Sequence, residues 1–243
     1  MTTPALEENE AQDERGGRLK LAYARTVLTG TTELLMHNIR LANPDDPYTK
    51  AIAKISSKRK KTDEDRHEMA RLEFLGGLYT GSRAFFEPGY KSTTEDSPAN
   101  EDNDDLVVVM PQTNIKRAFK EAAKATRQGR SIDRALNFRD PQQGREGIRL
   151  VFKDMERAPH ALYAMHGVYQ DITMVTVSGR VPRCRPRFKQ WTLECEWLFF
   201  PQLLDFETLR DITEMCGLIE GLGDNRINGA GRFKVDTEFL GDV

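Results

Sequence analysis

An α+β fold is predicted by three observations. Short runs rich in β-branched residues, such as Leu106-Val107-Val108-Val109-Met110, are separated by segments whose apolar residues recur at helical spacing, such as Ile115, Ala118, Phe119 and Ala122. Several strand-like segments follow one another between residues 148 and 197, a succession that suits an antiparallel sheet. A hydrophobic content of 38% over 243 residues is enough for one core, so a single domain with insertions is expected.

Taken in order, residues 1–17 carry Glu7, Glu8, Glu10, Asp13 and Glu14 and end in Gly16-Gly17, the composition of a disordered acidic tail. The ordered domain spans 18–240. Leu19, Leu21, Tyr23, Val27 and Leu28, bounded by Gly30, form a first strand that leads into Leu34-Leu35-Met36-His37-Asn38. A helical insertion covers about 44–77, with Thr62 and Asp65 spaced as a capping box and Gly76-Gly77 as the stop. Its Lys58-Arg59-Lys60-Lys61 run suits either a phosphate contact or a solvated helix end. An acidic loop follows at about 91–105, with Glu95, Asp96, Glu101, Asp102, Asp104 and Asp105 and no cation after Lys91. The strand 106–110 is closed by Pro111 and leads to a helix capped by Thr113 or Asn114, with Ile115, Ala118, Phe119, Ala122 and Thr126 inward.

Residues 128–168 contain a loop at Gln142–Gly147 and a short strand at Ile148–Phe152, and form either a subdomain or an embellishment. Strands are predicted at Asp171–Val177, Arg180–Lys189 and Trp191–Trp197. Asp205 caps a helix with Leu209, Ile212, Cys216 and Ile219 inward, and a glycine-rich loop then feeds a last strand at Arg232–Glu238. With the insertions set aside the order is βαββαβ, a ferredoxin-like (RRM-type) antiparallel sheet with helices on one face and the other face open to a ligand.

Net charge is −2, so any nucleic-acid surface must come from segregation of charge. The three cysteines, Cys184, Cys195 and Cys216, are isolated, as in a reducing compartment. Neither a signal peptide nor a long apolar run occurs, so a cytoplasmic protein that does not enter the membrane is expected. No P-loop, nucleophile elbow or metal-ligand spacing is present; no metal and no cofactor are expected.

Two features ask for an anion. The stretch from Gly221 to Val235 places Gly221, Gly223, Gly229 and Gly231 around Arg226 and Arg232, and glycines permit close approach of backbone to phosphate. Arg180, Arg183, Arg185, Arg187 and Lys189 have no acid between them, and the last four share one face of an extended strand. That ladder suits a phosphate backbone, or else guards an edge strand together with Pro182 and Pro186. Tyr169, Phe188 and Trp191 offer stacking surfaces or core packing. Lys116, Arg117 and Lys120 crowd the first turns of their helix, where its N-terminus favours anions. His37, at the end of the first strand, is the one candidate base, with a packed histidine as the commoner alternative.

The segment Leu34–Asn38, the proline-led helix start Met110–Phe119 and the loop Gly221–Arg226 through Gly229–Phe233 together resemble the RAMP superfamily, which includes backbone subunits of CRISPR effector complexes. They are most similar to the stand-alone RAMP-like proteins of tailed phages. Gln112 and Thr113 depart from the small residues usual after that proline. The resemblance implies a non-catalytic protein that binds single-stranded RNA, in preference to single-stranded DNA, through its backbone, as a homo-oligomer or array along the strand. It leaves two alternatives: a metal-independent endoribonuclease using His37 or, as aspartate counterparts, Asp45 or Asp46; and a phage interaction protein that imitates a host subunit.

Overall fold

The computed structural model of the protein describes residues 19–91, 104–140, 143–176 and 180–243. The acidic tail and residues 92–103 of the acidic loop lie outside them. In chain order, β1 (Ala22–Gly30) alternates buried and half-exposed residues up to Leu28, the pattern of a strand covered on one face. The two-residue β2 (Leu34–Leu35) follows. The helical insertion holds α1 (Pro47–Ser56), whose first turn is capped where the Asp46 carboxylate accepts the Tyr48 N–H at 2.9 Å. It also holds α2 (Asp63–Gly77), opened by the expected capping box: Thr62 Oγ1 accepts from Asp65 N at 3.2 Å and the Asp65 carboxylate from Thr62 N at 3.1 Å.

After β3 (Thr80–Ser82), α3 (Arg83–Phe86) and β4 (Leu106–Met110), α4 (Gln112–Ala123) begins directly behind Pro111. Thr113 and Asn114 therefore lie inside its first turn rather than capping it, and Thr126 lies beyond its end, exposed. The segment 128–168 contains α5 (Gly129–Ala135), β5 (Leu136–Phe138), α6 (Gln143–Glu146), β6 (Ile148–Arg149) and α7 (Pro159–Ala164). A helical turn, α6, thus stands where loop was expected. Next come β7 (Gln170–Thr176), β8 (Arg180–Phe188), β9 (Thr192–Phe199) and α8 (Phe206–Met215). A π turn at Cys216–Glu220 extends α8 before β10 (Phe233–Asp242). The wider π turn rotates the helix end, so Leu209, Ile212 and Cys216 are buried as spaced whereas Ile219 is 54% exposed.

The main sheet has the order β10-β1-β9-β5, with every neighbouring pair antiparallel. Because β5 borders β9, part of the segment 128–168 belongs to this sheet. A second sheet runs β2-β8-β7 and a third β3-β4-β6, both antiparallel. At the centre of the main sheet the Trp197 ring is fully buried, 5.4 Å from Phe119 of α4 and 4.0 Å from Phe138. Its indole N–H donates to Thr26 Oγ1 at 2.8 Å, which satisfies both buried polar groups, and Ala24, opposite in register, leaves room for the ring. α8 covers β10, with Phe206 5.5 Å from Phe239 and Thr213 Oγ1 3.1 Å from Thr237 Oγ1. Among the described residues no helix is long and apolar enough to cross a membrane.

Trp197→Ala removes the largest fully buried side chain and strands Thr26; a loss of about 3–5 kcal/mol is expected, read as a lower denaturant midpoint at unchanged m-value.

Candidate nucleic-acid interface

The glycine-rich loop is held by backbone against backbone. Asp224 N donates to Leu35 O at 2.8 Å, Gly231 N to Glu33 O at 2.7 Å, and Leu222 N to Gly231 O at 2.9 Å. A Cβ on Gly231 would lie 1.8 Å from Leu222 O, one on Gly223 2.2 Å from Leu35 O, and one on Gly221 2.8 Å from Gly231 O; all three have positive φ. These glycines therefore serve close approach of the chain to itself. Gly229, at φ 86°, has nothing within 4 Å of its Cβ position and is the open glycine of the four.

Folded this way, the loop bounds a groove of about 630 Å³ lined by Glu220, Asp224, Asn225, Arg226, Asn228 and Arg232. Arg226 lies 3.7 Å from Glu220. Arg232 donates one terminal N–H to Arg226 O at 3.2 Å, while its other terminal nitrogen, Nη1, is buried with no hydrogen-bond partner among the described residues.

The arginine ladder arrives beside this groove. Arg183, Arg185 and Arg187 lie on one face of β8, while Cys184, Pro186 and Phe188 are buried on the other. Each ladder arginine meets a carboxylate from a different part of the chain: Arg183 meets Glu73 of α2 at 3.1 Å, Arg185 meets Asp224 of the loop at 3.2 Å, and Arg187 stands 4.0 Å from Glu33. Arg180 opens β8, and the strand ends at Phe188, so Lys189 sits past the ladder in an exposed bend. β8 lies between β7 and β2, but β2 covers it only at Arg187 and Phe188, so among the described residues the rest of β8 has a strand on one side alone. Where β2 stops, Met36 N bonds Pro186 O at 3.0 Å, and Glu73 then takes the next position by accepting the Cys184 N–H at 2.8 Å.

Burial raises the Glu73 carboxyl pKa above its ordinary value, against the lowering effect of the Cys184 N–H and of Arg183. Beside it, a cleft of about 250 Å³ gathers His37, Leu41, Glu73, Arg183, Cys184, Arg185 and Asp224. It shares Asp224 with the loop groove. Desolvation lowers the His37 imidazole pKa; Asp224 opposes the shift and Arg183 and Arg185 reinforce it, so the ring is neutral at pH 7. The Cys184 thiol is pushed up to about 12 by burial and by Glu73 and is no nucleophile.

Other expected groups lie elsewhere. Tyr169, Phe188 and Trp191 are buried, with the Trp191 indole bonded to Thr32 O at 2.9 Å and the Tyr169 hydroxyl to Asp154 at 2.6 Å, so they are core and present no stacking platform. Asp46 caps α1 and holds Arg40 at 3.0 Å, and Asp45 pairs with Lys50 at 3.1 Å, which are structural duties. Lys116 donates to Asp133 O at 3.1 Å and Asn137 at 3.4 Å, and Lys120 pairs with Asp133 at 2.5 Å. Both are thus directed toward α5 and β5 rather than toward the loop; Arg117 is exposed.

The uncovered face of the main sheet is also unlike a phosphate-binding surface. Glu194, Glu196, Asp236 and Glu238 stand there with Arg25, Arg139 and Lys234. Arg25 is held by Glu194 and Glu238, and Arg139 is held by Glu196 while it covers Tyr23 at 4.4 Å. Sequence reasoning missed Glu33, Glu73 and Asp224 as ladder partners, because nothing local to β8 signals carboxylates that arrive from distant segments. No group of His, Cys, Asp and Glu among the described residues is arranged to hold a metal. No protein-family model matches the chain, and no curated protein matches it in sequence.

Gly231→Ala is expected to lower the melting temperature sharply, whereas Gly229→Ala costs only the left-handed penalty of roughly 1–2 kcal/mol; equal melting curves for the two would contradict the packing described. Because the folded Glu73 pKa is raised, its contribution to stability is full below the unfolded value and lost as pH rises through the folded one. Glu73→Gln, which keeps an acceptor for Cys184, should therefore be more stable than the parent at pH 7, and the difference should close as the pH falls below the carboxylate range in denaturant titrations.

Proposed function

We propose that the protein is a RAMP-like domain of the ferredoxin-like type that binds single-stranded nucleic acid, RNA in preference to DNA, through its phosphate backbone, with little sequence readout and without turnover. The observation that carries this reading is convergence: the glycine-rich loop and the β8 arginines, far apart in sequence, border two grooves that share Asp224. Arg226 and Arg232 are the direct phosphate contacts, since both line the loop groove and a guanidinium fork suits phosphate oxygens. Arg183 and Arg185, each paired with a carboxylate, hold α2 and the loop against β8. The strand order supports the fold assignment. β1 and β5 are separated by β9, and β9 and β10 by β1, which is two split βαβ units with α4 and α8 as crossovers. The preference for RNA rests on the family resemblance alone. Exposed Leu218, Ile219 and Ile227 near the loop, and Ile172 and Met174 on β7, suit contacts between copies arrayed on one strand.

The decisive measurement is fluorescence anisotropy of labelled single-stranded RNA and DNA at several salt concentrations. Salt-sensitive binding is expected, with Arg226→Ala and Arg232→Ala each reducing the slope of log K against log salt by about 0.7. Absence of binding to either strand at low salt would overturn the reading.

A second reading, metal-independent RNA cleavage, draws on the neutral His37 beside Arg183 and Arg185. There the imidazole would accept the proton of an attacking 2′-hydroxyl while an arginine stabilises the phosphorane. Labelled RNA that stays intact without divalent metal removes this reading; cleavage lost in His37→Ala supports it.

A further inference from the structure

We infer that the turn joining α4 to α5 is a separate, sequence-independent anchor for the backbone of a nucleic-acid duplex. From Lys116 to Arg134 the chain carries seven cations and two carboxylates, in a protein of net charge −2. Lysines occupy both carboxylates: Lys120 pairs with Asp133 at 2.5 Å and Lys124 with Glu121 at 2.6 Å, and Lys116 is tied to Asp133 O. Arg117, Arg127, Arg130 and Arg134 are all exposed, and none of their guanidinium groups makes a hydrogen bond or ion pair with a described residue, Arg117 acting on Glu121 only through its charge. This is the reverse of the β8 ladder, where Arg183, Arg185 and Arg187 each already face an acid.

Arg127 supplies an independent observation. It has φ 61°, in the left-handed region. Arg127 N bonds Lys124 O at 3.1 Å and Gln128 N bonds Ala123 O at 2.8 Å, the paired bonds of a Schellman turn with Arg127 at the position that glycine fills best. An arginine there carries the left-handed penalty, which the two turn bonds offset, and the turn leaves its side chain exposed beside Arg130 in the chain.

The same surface lacks a platform for bases. Phe119 and Phe138 turn toward Trp197, and among the described residues the arginines that stand over rings are Arg40, Arg83 and Arg139, none of these four. A surface of arginines without rings reads phosphates and leaves bases alone, which fits a duplex, whose bases are stacked inside and whose phosphate density is high. This anchor uses none of the residues of the loop groove.

The test is anisotropy of the full chain with a labelled DNA duplex of mixed sequence across a salt series, with melting curves measured in parallel. Arg127→Gly is expected to raise the melting temperature while weakening duplex binding and lowering the salt slope by about 0.9. Replacing Arg117, Arg127, Arg130 and Arg134 together by Gln should lower it by about four times that amount, whereas Arg226→Ala with Arg232→Ala should leave duplex binding unchanged. The inference is overturned if the duplex does not bind at low salt, if Arg127→Gly stabilises the fold without affecting binding, or if polyglutamate competes as well as the duplex. Loss of single-strand binding with duplex binding intact would remove only the loop-groove reading.

Discussion

The structure depends on the seam where the glycine-rich loop lies against the turn between β1 and β2. β1 belongs to the main sheet and β2 to the second, and only Thr31–Glu33 separates them. The loop clamps that turn from outside: Thr31 N and Thr32 N both bond Arg232 O, and Thr32 Oγ1 donates to Gly229 O. The first two join main chain to main chain, and glycine lets the loop fold tightly enough to offer them: a Cβ on Gly231 would lie 1.8 Å from Leu222 O within the loop, and one on Gly223 2.2 Å from Leu35 O of β2. Through Asp224 N on Leu35 O the loop also holds β2, the strand that pairs with the end of β8.

Charge is handled in two ways. Along β8 it is internalised: Glu33, Glu73 and Asp224 meet the arginines, and these pairs add to the main-chain bonds that already join the same segments. Around the α4–α5 turn it is left outward, with only the lysines matched to acids. A row of arginines in sequence therefore predicts little about external potential. What decides it is whether carboxylates from elsewhere reach the row.

Much of the chain was legible because its cues are local. Thr62 and Asp65 announce the start of α2, Asp205 that of α8, and the alternation in Leu193, Cys195 and Trp197 the buried face of β9. Where reading failed, the cause was non-local. The π turn that exposes Ile219 has no marker of its own, and Pro111 starts α4 without a capping side chain, so Thr113 and Asn114 were misplaced by one turn. β5 is three residues long and becomes a strand only because β9 offers it an edge. The aromatic residues near β8 carry the same composition whether they stack on bases or fill a core, and only burial distinguishes the two. For the candidate site, the loop glycines and both arginine sets were visible in the sequence, but their shared boundary at Asp224 was not.

The place of β1 in the main sheet bears on how the chain acquires its structure. β1 is early in the sequence, yet its neighbours are β9 and β10, and its backbone groups stay unpaired until those segments have been synthesised. The nascent chain thus carries an apolar, two-edged strand through most of translation, a condition that favours off-pathway pairing and slow, non-local closure. The segments that emerge next, α1 and α2, are opened by local caps at Asp46 and Thr62 and so can form before any partner of β1 exists.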